Sequence, residues 1–480
     1  MDIDFVIKRP DRAYLGTQLW LPKAHVNTHA IKASLEFEVF GDEGREFLYL
    51  WEDTPHHLVV PREFVPREDY DTLTFPIIDI TPKEFPRAQF ESNVELDKLD
   101  PKKDMQKRAF AAFVDAENGL LNLACGHGKT TLALHAIAHL GYNALVIVNQ
   151  QTILDQWEKS IRRFLRFDGE IGRIQKSPDK WDWRHPVTIA MLHSLARYPD
   201  AVTPDMRRWF GTVVWDEVHH LSAPYFCITA PMFPGHRYGL TATVSREDGT
   251  EVVFLYHLGE VFYKDLMQEV QPRIIFRETP FVIPGDDWQD ILDVRGNPNI
   301  SKLRTYVGQM EERNAYIQHD IMAALEKGRK VLALGHTHVH INRMYERFKA
   351  AGVDVGVCTG KQKVAARWAA LRDKQLILGM HDLVKEAIDE DTLDTMVWMT
   401  PFGSQHPEGG KNALQQGMGR IQGYRYHEGM KEPMVLVFDD IYIRHFHRMC
   451  NVLRKQLRRW PEDEGGPYKF ENRKSHKGAA

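Results

Sequence analysis

The apolar residues of this chain come in short unbroken runs, and the runs keep a rhythm. From about Met105 to Met267, "ALVIVN", "VTIAML", "GTVVWDE" and "YGLTAT" alternate with longer amphipathic stretches. From about Ser301 to Trp460 the same happens with "KVLALGH", "VDVGVCTG", "KQLILGM", "DTMVWMT" and "PMVLVFDD". Runs this short, apolar at consecutive positions, predict strands buried on both faces. The stretches between them predict helices, so the pattern implies parallel sheets with helices on both sides. The beginning of the chain differs. There "ASLEFEVF", "FLYLWED", "HHLVVPREF" and "TLTFPIIDI" are short alternating segments broken by Pro and Gly, as expected of small, half-exposed strands.

The expected fold class is therefore α/β, with two parallel-sheet domains in tandem behind a strand-rich α+β accessory domain. The expected boundaries are 1–98 for the accessory domain, 99–270 for the first α/β domain and 301–460 for the second. Residues 271–300 read as a connector, because "FVIPGDDWQDILDVRGNPNI" is rich in Pro and Gly, and residues 461–480 read as a disordered polar tail.

Composition narrows the partners. With 480 residues and 43% hydrophobic content, the chain can bury several cores. The net charge of −4 means that any nucleic-acid surface is a local patch, not a global field. Cys125, Cys227, Cys358 and Cys450 have no paired spacing, which argues against a zinc site or a disulfide framework and fits reduced thiols. The opening "MDIDFVIKRPDRAYLG" lacks a signal-peptide core, and no run of about 18 apolar residues occurs. A cytoplasmic monomer without a membrane partner is expected.

Candidate chemistry begins at "NLACGHGKTTLAL", Asn122 to Leu134, where an apolar run meets glycines and then a helical pattern. Phosphate asks for converging backbone N–H groups, a helix N-terminus behind them and a cation. Gly126 and Gly128 permit the tight path, with His127 between them. Lys129 supplies the cation for β- and γ-phosphates, Thr130 a hydroxyl for Mg²⁺, and Thr131 continues the first helical turn. Glycines in strand–helix turns also occur without any ligand, so a second motif matters. "GTVVWDEVHH" supplies it: Asp216 for the metal through water, and Glu217 as general base for an attacking water.

These motifs and five others resemble the DExH proteins of helicase superfamily 2, closest to the XPB-type and UvsW-type phage branch. "LACGHGKT" resembles motif I and "DEVHH" motif II. "ALVIVNQQTILDQW" is similar to motif Ia with its Gln-Trp ending, and "YGLTATVSREDG" to motif III running into an Arg-Glu-Asp element. "KVLALGHTHVHINRM", "LVKEAIDEDTLDTMVWMTP" and "LQQGMGRIQG" resemble motifs IV, V and VI. They stand in family order from Met105 to Asp439.

The resemblance implies two RecA-like domains with ATP and Mg²⁺ between them. It implies that Gln416 and Arg420 of motif VI face the γ-phosphate, that Gln106 reads adenine, and that His219, Thr241 and Thr243 couple the ATP site to nucleic acid. Gln106 also reads simply as a surface helix residue. The implied partner is DNA, single-stranded or branched duplex, with RNA not separated from it by any residue. Candidate contacts are His193, Ser194, Arg246 and Thr337, each of which also reads as an ordinary loop residue. The basic helix in "YIRHFHRMCNVLRKQLRRW" reads as a duplex-binding arm or a solvated face.

Several positions depart from the family pattern. Leu123 stands for the first Gly or Ala of motif I, Ala124 for Pro, Val244 for the Pro of motif III and Ala387 for the Gly of motif V. Gly423 stands where motif VI ends in Arg, leaving Arg420, or Arg425 reaching in. Arginine fingers are worth about 10³–10⁵ in rate. The expected function is thus an ATP-dependent DNA helicase or translocase. The alternatives are an ATP-gated DNA clamp with weak hydrolysis, favoured by Gly423, and the motor subunit of a restriction system.

Overall fold

The apolar runs become the strands of two parallel sheets in the computed structural model. The structure describes the chain outside residues 1–8, 42–43, 97–100, 125, 245–248, 268–269, 360–361, 363, 382–391, 402–417, 419–420, 422–430, 463–465 and 475–480. It divides into two compact units, Met1–Asp265 and Leu266–Ala480.

In the first unit, seven parallel strands lie in the order Ile171–Ile174, Val187–Met191, Ala144–Val148, Thr212–Asp216, His236–Thr241, Asn118–Leu123 and Val261–Asp265. All five residues of Ala144–Val148 are buried, which is why that run needs no polar alternation. The helix Gln151–Phe164 buries Ile153, Leu154, Trp157 and Ile161 and leaves its charged residues outside that stripe.

The N-terminal strands share this unit. Five of them form a sheet in the order Glu52–Asp53, His57–Pro61, Gln18–Pro22, Ala13–Leu15 and Ile77–Asp79, beside a hairpin of Glu36–Gly41 with Gly44–Tyr49. Their apolar core takes in Cys227 and Val253 from the α/β body. Polar contacts add to it. The fully buried Arg237 donates to the carbonyls of Thr17 (2.8 Å) and His257 (3.2 Å). Arg62 donates to the Pro234 carbonyl at 3.3 Å. Residues on both sides of the expected boundary at 98 therefore pack into one core.

In the second unit the order is Val355–Cys358, Leu376–Met380, Val331–Gly335, Thr395–Trp398, Met434–Asp440, Arg273–Thr279 and Phe470–Arg473, again all parallel. Two of these strands correct the sequence reading. Arg273–Thr279 lies inside the expected connector, yet Ile274, Ile275 and Phe276 are buried, as an inner strand requires. Phe470–Arg473 lies inside the expected disordered tail; it pairs with Arg273–Thr279, and Phe470 packs edge-on against Phe276. A four-residue strand with one aromatic has no periodicity to read, and the partner strand supplies its order.

The basic helix Arg444–Arg458 buries Phe446, Met449, Cys450, Leu453 and Leu457. Arg444, Arg448, Lys455 and Arg458 are exposed, but Arg454 turns inward. It donates to Asp439 at 2.7 Å and lies 4.2 Å over the Phe276 ring. The neighbouring Asp440 is gripped by Arg313 through two bonds, 2.7 and 2.9 Å, with both side chains fully buried. Buried charges of this kind must be paired.

Candidate nucleotide-binding site

The strand Asn118–Leu123 feeds the glycine loop, and the helix Lys129–Leu140 leaves it. Gly126 and Gly128 have φ of +78° and +90°, in the left-handed region that favours glycine. At Gly128 a Cβ would also lie 2.4 Å from Gln106 Nε2. Gln106 is buried and donates from Nε2 to the His127 carbonyl at 2.9 Å, so its described bond braces the loop from behind. His127 is buried as well.

Lys129 Nζ donates to the carbonyls of Leu123 (2.8 Å) and Ala124 (3.4 Å), which holds the ammonium over the loop. Thr130 and Thr131 sit in the first helical turn, half-buried. Helix N–H groups in that turn have no intrahelical acceptor and carry the positive end of the dipole, so the loop is built for an anion.

The acidic pair emerges at the same edge of the sheet. Asp216 stands opposite Leu240 and Leu240 opposite Leu121, while Thr241 stands opposite Asn122. The carboxyl ends of parallel strands are where such sheets bind ligands. Burial, and then the charge of Glu217, push the Asp216 carboxyl up to about 6. The Trp157 indole and the Lys129 charge pull the other way, so the loop lysine lies within electrostatic reach of Asp216.

Trp157 Nε1 donates to Asp216 Oδ2 at 2.7 Å, and the Glu217 amide donates to Oδ1 at 3.0 Å. Glu217 itself adopts φ +49°, left-handed although it is not glycine. Its carboxylate lies 3.4 Å from His219 Nδ1. The amide of Asn149, at the end of strand Ala144–Val148, donates to His220 Nε2.

Mg²⁺ takes one or two carboxylates, water and substrate phosphate, and seldom a cage made by protein alone. The Asp216 carboxylate and the Thr130 hydroxyl fit that habit. Among the described residues no group of three or more His, Cys, Asp and Glu stands ready to hold a metal unaided.

The remaining sequence candidates divide. Thr241 Oγ1 donates to the Thr243 carbonyl (2.8 Å) and accepts from the Thr243 amide (3.0 Å), forming a tight turn beside the loop strand. His193 packs edge-on to Phe226, and its side chain is exposed. Ser194 is buried and accepts from the Lys176 amide at 3.0 Å, a role inside the fold. Thr337 accepts from the His340 amide and caps the helix His338–Ala350. Gln416, Arg420, Gly423, Arg425, Arg246 and Ala387 lie outside the described residues.

Two residues of the site escaped the sequence reading. Trp157 was seen only as part of a motif ending, since a Trp on an amphipathic helix reads as core. Asn149 stands inside the same motif, but no local spacing joins it to His220, which lies in the short helix Val218–Ser222.

Residues 100–246 match the family described as the res subunit of type III restriction enzymes. The chain is 25% identical over 334 residues to L396 of Acanthamoeba polyphaga mimivirus, provisionally named an ATP-dependent RNA helicase; the match takes 67% of this chain and 60% of that one. It is 36% identical over 155 residues to the DNA 3'-5' helicase XPB of Mycobacterium tuberculosis, taking 31% of this chain and 28% of that one. The chain thus spans less than two thirds of either relative. In fold it is similar to S. cerevisiae Dbp5 bound to RNA and ADP BeF3, with a TM-score of 0.50 and 13% identity over 77% of this chain and 89% of that one. By residues 100–246, by these relatives and by its two parallel seven-stranded sheets, the chain is similar to helicases, XPB among them.

Proposed function

We propose that the chain is an ATP-driven DNA helicase or translocase that moves on or remodels duplex or branched DNA. The observation that carries this is geometric: the loop bearing Lys129 leaves the strand Asn118–Leu123 at the same sheet edge where Thr212–Asp216 delivers Asp216 and Glu217. In this reading the loop N–H groups and Lys129 bind the phosphates of ATP. Thr130 and Asp216 hold Mg²⁺, and Glu217 takes a proton from the attacking water. In the same reading Gln416 and Arg420, which lie outside the described residues, supply charge stabilisation at the γ-phosphate.

DNA as the partner is favoured by the mycobacterial relative, whose name gives it DNA; the mimivirus relative's name gives it RNA. No helix of the described residues is long and apolar enough to cross a membrane. We place the chain's work in the cytoplasm, as a monomer gripping phosphate backbone with little regard for sequence. The test is strand separation on a forked DNA, and on its RNA counterpart, with ATP and with a non-hydrolysable analogue. Separation that needs hydrolysable ATP supports the reading. Nucleotide-dependent binding without separation, on any fork, favours an ATP-gated clamp.

The match of residues 100–246 to a restriction-enzyme subunit supports a second reading, a restriction motor. That reading requires a nuclease partner, and co-purification with ATP-dependent DNA cleavage tests it.

A further inference from the structure

Glu217 has φ +49° and ψ +55°. A non-glycine residue stays in so sparsely populated a conformation only where its surroundings over-determine it. The surroundings do so on both sides. Before it, both carboxylate oxygens of Asp216 are engaged, Oδ2 by the Trp157 indole at 2.7 Å and Oδ1 by the Glu217 amide itself at 3.0 Å. After it, the ring of His220 accepts from the Asn149 amide.

Both donors come from one segment, the end of strand Ala144–Val148 and the helix Gln151–Phe164 that follows. Neither can drift. Trp157 is 1% exposed and Asn149 is 8% exposed. The Trp157 ring lies on the buried stripe of its helix, so its N–H aims from a fixed point.

We propose that Trp157 and Asn149 are positioning residues that pin the acidic motif on either side of Glu217, and so fix the direction from which its carboxylate meets the attacking water. This rests on the reading of Glu217 as the general base. The two pins act on one turn, so their removal is non-additive. Neither touches the phosphate loop among its described contacts, so metal-free nucleotide affinity is spared.

The test uses the full chain and the variants Trp157→Phe, Asn149→Ala and the double variant. Trp157→Phe keeps most of the ring volume and removes only the donor. Three quantities are read: kcat and KM for ATP, the Kd for ADP with and without Mg²⁺, and amide hydrogen exchange of the peptide spanning Thr212–Ser222. Thermal unfolding identifies variants that remain folded. The expected result is a fall in kcat of about tenfold or more for Trp157→Phe, with the metal-free ADP Kd within about twofold. Exchange should rise in that peptide alone, and the double variant should lose less than the product of the single losses. Folded variants with wild-type kcat and unchanged exchange overturn the proposal. So does a loss of kcat that merely follows a loss of thermal stability. A wild-type chain that hydrolyses no ATP defeats the reading of Glu217 as a base; faster exchange in the variants would then still report the pins.

Discussion

Lys129 Nζ donates to the carbonyl of Leu123 at 2.8 Å. Leu123 is the residue that departs from the usual phosphate-loop pattern, and its side chain is fully buried in the strand. Its backbone serves the loop while its side chain serves the core, which is why the departure leaves the cradle intact. Leu123→Ala should therefore cost about 2–5 kcal/mol of stability, as core truncations do, and leave ATP affinity nearly unchanged in the folded fraction. Chemical denaturation beside a nucleotide-binding titration checks both halves. A large loss of affinity at unchanged stability would contradict the assignment.

Gly128→Ala should act on affinity as well. Its φ of +90° is costly for alanine, and the new Cβ would meet Gln106 Nε2 at 2.4 Å. ATP binding should weaken markedly, and the melting temperature should fall too, since the strain and the clash with the buried Gln106 are borne by the folded state. Adding Gln106→Ala removes the contact but not the φ penalty, so only part of the affinity should return. Full recovery in the double variant would mean that contact alone, not conformation, requires glycine.

Two buried histidines predict an acid limb in the stability profile. Burial, then the charge of Arg237, push His257 down to about 3; burial, then Arg313, push His340 to about 3. The unfolded chain binds these protons near pH 6.5. Below that pH the unfolded state therefore holds more protons than the fold. Stability is fully present above about pH 6.5 and is lost as pH falls from there toward about 3. Since His257 lies in the first unit and His340 in the second, His257→Phe and His340→Phe should each flatten the acid limb of one unit. Denaturant melts at pH 7 and pH 5 measure it, and equal slopes in wild type and variants would refute the origin.

The second unit depends on a buried ion pair. Arg313 and Asp440 are both fully buried, and Thr279 Oγ1 donates to the same carboxylate at 2.6 Å. Removing one partner strands the other, so Arg313→Met should cost about 3–5 kcal/mol. Replacing both, as Arg313→Met with Asp440→Leu, should recover much of it. The readout is the unfolding transition of the second unit. A single variant as stable as wild type would show the pair to be dispensable.

Much of the architecture was legible because parallel strands buried on both faces must be apolar at every position; "ALVIVN" and "KVLALGH" admit few other readings. The turn itself was legible because two glycines stand between an apolar run and a helical pattern, and both adopt left-handed φ there. What escaped was set by partners distant in sequence. Phe470–Arg473 is ordered by the strand beside it, and Thr337 as a helix cap looks the same in sequence as a threonine that binds phosphate. The Trp157–Asp216 bond joins a helix to another strand's end, and no local spacing encodes it.

The central claim is that the Lys129, Asp216 and Glu217 edge hydrolyses ATP in response to nucleic acid. The most direct measurement is ATP turnover by the purified chain with and without single-stranded, duplex and forked DNA, beside Lys129→Ala and Glu217→Gln. The account predicts strong stimulation by DNA. It predicts a loss of about 10²-fold or more in each variant, with Glu217→Gln still binding nucleotide. Turnover that ignores DNA, or that survives in Glu217→Gln, would contradict it.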